Sequence, residues 1–208
     1  MIAMVSEVAV RSGYVAFLDA LRARGFEGEI APDYANRTVL ATDNSIYQRL
    51  PQAAVYPKHA EDLERLTRLA AQTTHRSIVL TPRGGGTGTN GQSLTDGIVV
   101  DVSRHMNQIL EIDVDARRVR VQAGVVKDQL NAALKPHGLF FAPELSTSNR
   151  ATIGGMISTD ASGQGSCEYG KTRDHVLELD TVLIGGKHLH SRALTQDEEQ
   201  AKCQQEGI

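Results

Sequence analysis

A dense glycine loop contains the residue types and spacing that could do chemistry. Residues 82–93 read PRGGGTGTNGQS and follow a short apolar run. Successive glycines let a backbone approach a ligand with no side chain in between, and consecutive N–H groups in such a turn form a concavity that binds anions. Thr, Asn and Ser side chains add neutral donors, and Arg83 adds a positive charge. A pyrophosphate with two negative charges would suit this loop.

A second glycine-bearing segment lies about 60 residues further on. Residues 152–163 read TIGGMISTDASG, so Gly154 and Gly155 again permit close backbone contact. Residues 82–93 and 152–170 together hold ten of the chain's 19 glycines. Two such segments suit a long ligand with one polar bridge and two ring systems. The residues by themselves therefore indicate a long cofactor that carries phosphate.

A dinucleotide fingerprint offers a competing interpretation of the first loop. Residues 86–91 fit the pattern GxGxxG, and Glu111 stands about twenty residues further on, where a ribose-binding acid is sought. That mechanism needs a helix opening at the third glycine, so that its N–H groups face the pyrophosphate. Here a short polar turn and then another strand follow. The context disfavours a Rossmann site.

A P-loop is the second competing interpretation. Residues 165–172, GSCEYGKT, fit the pattern GxxxxGK[ST] and would use Lys171 and Thr172 on a bound nucleotide. A P-loop joins a buried strand to a helix, whereas residues 159–164 are polar and residues 173–184 alternate like a strand. Glu168 would also repel the phosphates. A nucleotide-binding protein using Gly165 to Thr172 is kept as the alternative function.

Elements that must position these loops can be predicted from periodicity. Tyr14, Phe17, Leu18 and Leu21 recur at helical spacing before Gly25, whereas residues 26–50 show no clear period. A strand, a helix and two strands in this order predict a parallel unit with its loops at one edge. The predicted elements are strands at 53–56, 77–80 and 97–102, a helix at 60–71, a hairpin at 109–122, a helix at 125–134 and a strand at 176–184. Residues 143–172 form a long polar and glycine-rich stretch, and residues 195–208 are either an exposed helix or a frayed end.

Composition limits the class of protein. The chain has 208 residues, 40% of them hydrophobic, with a net charge of −3 and no basic stripe, which argues against nucleic acid as a partner. Residues 1–10 lack the features of a signal peptide, and no run of about 18 apolar residues predicts a membrane span. Cys167 and Cys203 form no disulfide framework. These features favour the cytoplasm.

The two glycine segments carry a family resemblance. Residues 82–93 with the strand after them resemble the first flavin loop of the vanillyl-alcohol oxidase family, whose FAD domain is called PCMH-type. Residues 151–163, then Tyr169-Gly170 and His175-Val176, resemble its second flavin segment. The resemblance runs from about residue 51 to 186. It implies an α+β fold, a PCMH-type FAD-binding domain of two α/β subdomains truncated at the C-terminus. The implied division is a helical extension at 1–50 and an FAD domain at 51–208, with subdomains at about 51–104 and an incomplete 105–208.

Within that family the chain resembles D-2-hydroxy-acid dehydrogenases. Residues 146–155 and 160–166 resemble very long bacterial members, in which a flavin module is fused to an iron–sulfur module. The resemblance implies oxidation of D-2-hydroxyglutarate, D-lactate or glycolate by hydride transfer to flavin N5, with a downstream electron acceptor. It places the catalytic His and Arg and any iron–sulfur cluster beyond residue 208, so no catalytic residue is assigned here.

The resemblance also implies the residues that bind the cofactor. Some members attach FAD through a His in the first loop, and Thr87 stands at that position, so we predict non-covalent FAD. The loop backbone is implied to hold the pyrophosphate, and the second segment to line the rest of the cofactor. The implied cofactor-binding residues are Arg83, Gly84, Gly85, Gly86, Thr87, Gly88, Asn90, Gly91, Pro143, Thr152, Ile153, Gly154, Gly155, Ser158, Asp160, Gly163, Tyr169, Gly170 and Val176.

Three further residues leave alternatives open. His188 and His190 would share one face of a strand, which is a metal-ligand spacing, but an exposed strand end explains them better because no third ligand is evident. Arg150 is a candidate for contact with a substrate carboxylate, and a structural salt bridge is an equal alternative.

Overall fold

The first half of the chain forms a four-stranded sheet with helices packed on it. The structure, a computed structural model, describes residues 8–204. The sheet has the order β1-β2-β4-β3, in which β1 runs antiparallel to β2 and the other neighbours are parallel. The elements are α1 (Ser12–Ala23), β1 (Glu29–Ala31), α2 (Tyr34–Val39), β2 (Ala53–Tyr56), α3 (Ala60–Ala70), β3 (Leu80–Arg83) and β4 (Ile98–Asp101).

The central strands β2 and β4 are buried on both faces. One face packs against α1 and α3, whose Phe17, Leu21 and Leu69 are completely buried. The other face packs against Leu40 at the end of α2. Parallel strands covered on both sides consist of uninterrupted apolar runs rather than an alternating pattern. Each fully buried side chain of this size stabilises the fold by roughly 1.5–3 kcal/mol.

The second half contributes two hairpins and several helices. Its core gathers Val125, Leu130 and Leu134 around α4, with Ile153 and Met156 of α5 packed against them. The elements are β5 (Ile109–Asp113), β6 (Arg118–Val121), α4 (Lys127–Leu134), α5 (Ile153–Thr159), α6 (Ser166–Tyr169), β7 (Leu179–Val182), β8 (His188–Ser191) and α7 (Gln196–Cys203). The strands of each hairpin, β5–β6 and β7–β8, pair antiparallel.

The β7–β8 turn connects the two halves. Gly185 donates its backbone N–H to the Thr67 carbonyl of α3 at 3.3 Å, and His188 Nε2 lies 2.7 Å from Glu64 Oε1 of the same helix. Gly185 and Gly186 both adopt positive φ, which favours glycine, and a Cβ on Gly186 would lie 3.0 Å from the Glu64 carbonyl oxygen of α3. The last hairpin is therefore attached to the first sheet through α3.

Most elements that periodicity predicted are confirmed, including α1, β2, α3, β4, the β5–β6 hairpin and α4. Of the two alternatives for residues 195–208, the exposed helix is confirmed at Gln196–Cys203, and residues 205–208 lie outside the described residues. Two strands differ. The strand predicted at 77–80 lies at Leu80–Arg83, and the strand predicted at 176–184 is confined to Leu179–Val182. Pro82 is tolerated because β3 is an edge strand, where no partner needs its missing N–H.

Two stretches without periodicity contain regular structure that was not predicted. Residues 26–50 hold β1 and α2, and the polar, glycine-rich stretch at 143–172 holds α5 and α6. Short elements of three to seven residues carry too few apolar positions to show a period, so contacts from the rest of the fold decide them.

The proposed domain division keeps residues 1–50 as an extension, yet α1 packs in the same core as the sheet and β1 pairs with β2.

Among residues 8–204, no helix combines the length and apolar character needed to cross a bilayer.

Candidate functional site

The glycine loop connects the carboxyl end of β3 to β4. In open parallel sheets, ligands bind outside the carboxyl ends of the strands. Gly86 and Gly91 have φ of +62° and +71°, a left-handed conformation that favours glycine. No helix opens within the loop, since residues 84–97 form turns and bends up to the start of β4. This context contradicts a Rossmann site.

The loop presents a run of backbone amides that the protein does not use. Within residues 8–204, the N–H groups of residues 84–89 donate to no protein acceptor. The next amide, of Asn90, donates to Gln92 Oε1 at 3.0 Å. Backbone donors that are shielded from water almost always find a partner, and most of this loop is at least half-buried. The run is therefore suited to an anion with several oxygens.

The first two glycines of the loop contact the second glycine segment. A Cβ on Gly84 would lie 2.1 Å from Thr152 Oγ1, and a Cβ on Gly85 would lie 2.0 Å from the Arg150 carbonyl oxygen. Contacts that short are impossible, so any side chain there would push the two segments apart. The structure thus brings together the two segments that the sequence suggested separately, and it explains these glycines by protein packing.

Arg83 holds the loop to a neighbouring segment. Its Nη2 donates to the Thr42 carbonyl at 2.8 Å, and its Nη1 lies 3.4 Å from both the Leu40 carbonyl and Ser93 Oγ. Burial lowers the pKa of the guanidinium, and the charges of Asp101 and Asp43 oppose that shift. The side chain predicted to supply charge to a ligand is therefore engaged with protein oxygens.

A polar turn at residues 42–47, which sequence analysis did not single out, lies against the loop. The Asn44 N–H donates to the Gly86 carbonyl at 3.0 Å, and Ser93 Oγ donates to Asp43 Oδ2 at 3.1 Å. The Tyr47 ring would lie 3.0 Å from a Cβ on Gly91. The run Asp-Asn-Ser, typical of turns, was the only local signal for this segment.

The first turn of α5 uses its amides within the protein. Thr152 Oγ1 accepts from the Gly155 N–H at 3.3 Å, while the N–H groups of Ile153 and Gly154 donate to the Val125 and Ala123 carbonyls at 2.8 Å. A Cβ on Gly154 would lie 2.8 Å from that of Ala123. The sequence suggested that Gly154 permits a close approach to a ligand. In the structure, the close approach of Gly154 is to Ala123, which follows β6.

Several residues assigned to the second segment also have structural contacts. The Asp160 carboxylate accepts from the Arg173 N–H at 3.1 Å and from its Nε at 2.6 Å, and it also contacts Nη2. These bonds lower the pKa of Asp160. A Cβ on Gly163 would lie 2.2 Å from the Glu144 carbonyl, and Ser158 Oγ donates to the Gly154 carbonyl. Pro143 is buried.

An exposed aromatic pair borders the end of the second segment. The rings of Phe140 and Tyr169 meet edge to face with centroids 5.9 Å apart, and 60% and 45% of their surfaces are exposed. The Tyr169 carbonyl lies 2.7 Å from His175 Nε2, next to the half-buried Val176. Gly170 has φ of +79°. Tyr169 was predicted from the sequence and Phe140 was not, because the contact joins residues that are distant in the chain.

The geometry of residues 165–172 does not support a P-loop. Helix α6 lies inside the motif, and no strand leads into it. The Thr172 hydroxyl, which would bind the nucleotide's metal, is completely buried and donates to the Ala161 carbonyl at 2.7 Å. Lys171 Nζ points toward Asp160 at 4.0 Å.

The paired histidines of β8 contact different carboxylates. His188 contacts Glu64, and His190 lies 2.6 Å from Asp180 and 3.2 Å from Glu178. Across residues 8–204, no cluster of three or more His, Cys, Asp or Glu side chains is arranged to hold a metal ion.

Comparisons with known proteins give a consistent result. Residues 51–192 match the family described as FAD binding domain. A D-2-hydroxyglutarate dehydrogenase of Pseudomonas putida is 73% identical over 191 residues, which cover 92% of this chain and 19% of that protein. The protein of the same name from Escherichia coli K12 is 57% identical over 92% of this chain. Glycolate oxidase subunit GlcD of Bacillus subtilis is 37% identical over 67% of this chain and 29% of its own length.

Solved structures share the fold at low sequence identity. Alkyldihydroxyacetonephosphate synthase superposes with a TM-score of 0.77 at 24% identity, covering 92% of this chain and 40% of that one. The 6-hydroxy-D-nicotine oxidase of Arthrobacter nicotinovorans gives a TM-score of 0.70 at 24% identity, covering 81% of this chain and 36% of its own. The predicted mixed α and β fold of FAD-binding oxidases is thereby confirmed. The chain spans about a fifth of the D-2-hydroxyglutarate dehydrogenases it matches.

Proposed function

The chain belongs to the FAD binding domain family, and from that premise we propose that it is the flavin-binding part of a D-2-hydroxy-acid dehydrogenase. The substrate class is supported by the identity of 73% to a protein named D-2-hydroxyglutarate dehydrogenase. The proposal also includes D-lactate and glycolate as substrates, because the GlcD protein of Bacillus subtilis and a D-lactate dehydrogenase of Archaeoglobus fulgidus are both 37% identical.

The observation that carries the proposal is the run of unused amides at residues 84–89. A diphosphate bridge has several oxygens and needs several donors that converge, and backbone N–H groups in a glycine loop supply them without an intervening side chain. We propose that residues 84–91 hold the diphosphate of FAD. Thr87 offers no ring nitrogen for a covalent link, so we propose that the cofactor is held by non-covalent contacts alone.

FAD would supply the acceptor for the hydride that leaves C2 of the hydroxy acid. The residues of this chain would bind and orient FAD. The contact of Gly84 and Gly85 with residues 150–152 sets the spacing between the loop and the second segment. We propose that the exposed edge of that segment, from Gly155 to Tyr169 and Val176, follows the remainder of the cofactor. No residue here is assigned as the base that takes the hydroxyl proton.

Partners and location belong to the same proposal. The substrate is a small 2-hydroxy acid, and the electrons pass to a downstream acceptor, for which an iron–sulfur module of the long relatives is our candidate. Cys167 and Cys203 are free and exposed, which is typical of a reducing compartment and supports the cytoplasm.

The test is the flavin content of the purified chain. The chain is mixed with excess FAD, passed through a desalting column, and its visible spectrum is recorded. We expect a bound flavin spectrum and release of all flavin into the supernatant when the protein is denatured. A chain that leaves the column colourless at every FAD concentration contradicts the proposal. Flavin that stays with the precipitate contradicts the non-covalent link alone.

A further inference from the structure

We propose that Arg150 is the side chain that neutralises the diphosphate held by residues 84–89. The inference rests on the proposed function and assigns a charged contact that the glycine loop itself lacks. Backbone amides carry only partial positive charge, whereas the bridge of the cofactor carries two full negative charges. A cation close to the loop would therefore add to the affinity.

The backbone of Arg150 is fixed beside the middle of the glycine loop. Its carbonyl oxygen would lie 2.0 Å from a Cβ on Gly85. Its N–H donates to the Thr147 carbonyl at 2.9 Å, and the following residue, Ala151, accepts from Lys127 at 3.0 Å. The position therefore belongs to a hydrogen-bonded turn held against the unused amides.

Among the residues that the structure describes, the guanidinium of Arg150 has no acidic partner. The residue is exposed, and within residues 8–204 its side chain forms no ion pair or hydrogen bond. That finding opposes a structural salt bridge, one of the two alternatives that the sequence left open.

Arg83, in contrast, is committed to the carbonyls of Leu40 and Thr42 and is flanked by Asp43 and Asp101. Burial lowers the pKa of Arg83 most, and the charge of Arg150 lowers it further, so the two guanidinium groups are within electrostatic range. Arg150, unlike Arg83, is therefore available to a ligand of the loop.

The chemistry favours phosphate as the ligand of this side chain. A guanidinium presents paired donors that match two phosphate oxygens. The Arg150 backbone contacts Gly85, which lies within the run of unused amides at residues 84–89, and the proposal is that these amides and the guanidinium hold one anion. A substrate carboxylate is the remaining alternative and becomes an outcome of the test.

The experiment compares Arg150→Gln, Arg150→Lys and a control, Arg117→Gln, in the full chain. Arg117 is exposed at the β5–β6 turn, about 20 Å along the strand from Ala123, which contacts Gly154. Dissociation constants for FAD and for ADP, which share the diphosphate, are measured by fluorescence and calorimetry at low and high salt. We expect Arg150→Gln to weaken both ligands by about tenfold, with a smaller salt dependence, whereas Arg150→Lys loses less and the control matches the wild type.

The outcomes separate this inference from the proposed function. If the wild-type chain binds no FAD, the proposed function fails. If it binds FAD and Arg150→Gln binds FAD and ADP within twofold of it, the inference is wrong while the proposed function stands, and the carboxylate alternative remains. Melting temperatures verify folding. If Arg150→Gln has a lower melting temperature than the wild type, the Arg150→Lys variant is decisive. A folded Arg150→Lys variant that binds ADP no more tightly than Arg150→Gln also overturns the inference.

Discussion

At the scale of single residues, glycines in this chain serve different needs. Gly84 and Gly85 have no side chain because residues 150–152 occupy the space where one would stand. Gly86 and Gly91 are needed for a left-handed backbone. Gly13 in α1 has neither constraint, since nothing lies within 4 Å of the Cβ it would carry. We therefore expect substitutions at Gly85 and at Gly13 to change the free energy of unfolding in opposite directions.

Alanine substitution tests that distinction. We expect Gly85→Ala to lower the free energy of unfolding by roughly 1–3 kcal/mol, because its Cβ overlaps a backbone oxygen that cannot easily move, and to weaken FAD binding as the loop leaves residues 150–152. Gly13→Ala should raise stability by up to about 1 kcal/mol through helix propensity. Urea unfolding measures both changes. Equal effects at the two positions would show that the contact with Arg150 is not a constraint.

At the scale of elements, short helices here depend on side-chain caps. Thr152 caps α5 by accepting from Gly155, which compensates for two glycines in its first turn. In α7, Thr195 and Glu198 form a reciprocal capping box, and Arg192 Nη2 lies 2.6 Å from Glu198 Oε1. Helix α7 (Gln196–Cys203) buries none of its residues, so its stability depends on these polar contacts rather than on core packing.

The Glu198 cap predicts a pH dependence of α7. Hydrogen bonds from Arg192 and Thr195 lower the pKa of Glu198 from 4.5 to about 2. The folded helix therefore binds the proton more weakly than the unfolded chain, so the stabilisation is complete above pH 4.5 and is lost as the pH falls toward 2. An NMR titration of the Glu198 carboxyl measures this. Glu198→Gln should increase hydrogen exchange in α7 at pH 7, whereas Glu199→Gln, which makes the same charge change outside the cap, should not.

At the scale of the whole molecule, the two halves of the chain contact each other at two places that bear on the site. The glycine loop of the first half contacts residues 150–152 of the second. The β7–β8 turn of the second half hydrogen-bonds to α3 of the first. A ligand held at the first contact should therefore stabilise both halves together, although each has its own apolar cluster.

Ligand linkage tests this coupling. FAD at 100 times its dissociation constant should raise the free energy of unfolding by about 2.7 kcal/mol. We expect amides of β4 and of α4 to gain the same protection in hydrogen exchange, because the halves open as one unit. Protection confined to β4 would mean that the halves unfold separately and that the second segment contributes little to binding.

The sequence by itself determined the family, the glycine loop, the β5–β6 hairpin and the longer helices. These features depend on local signals, namely a run of glycines, apolar residues at helical spacing and turn residues between alternating strands. Only the tertiary structure decided that Gly84 and Gly85 face residues 150–152, that Arg83 is engaged with Leu40 and Thr42, and that the Arg150 side chain has no hydrogen-bond or ion-pair partner among residues 8–204. The physical reason is that each of these facts depends on which atoms from distant parts of the chain occupy the neighbouring space, and no local pattern records that.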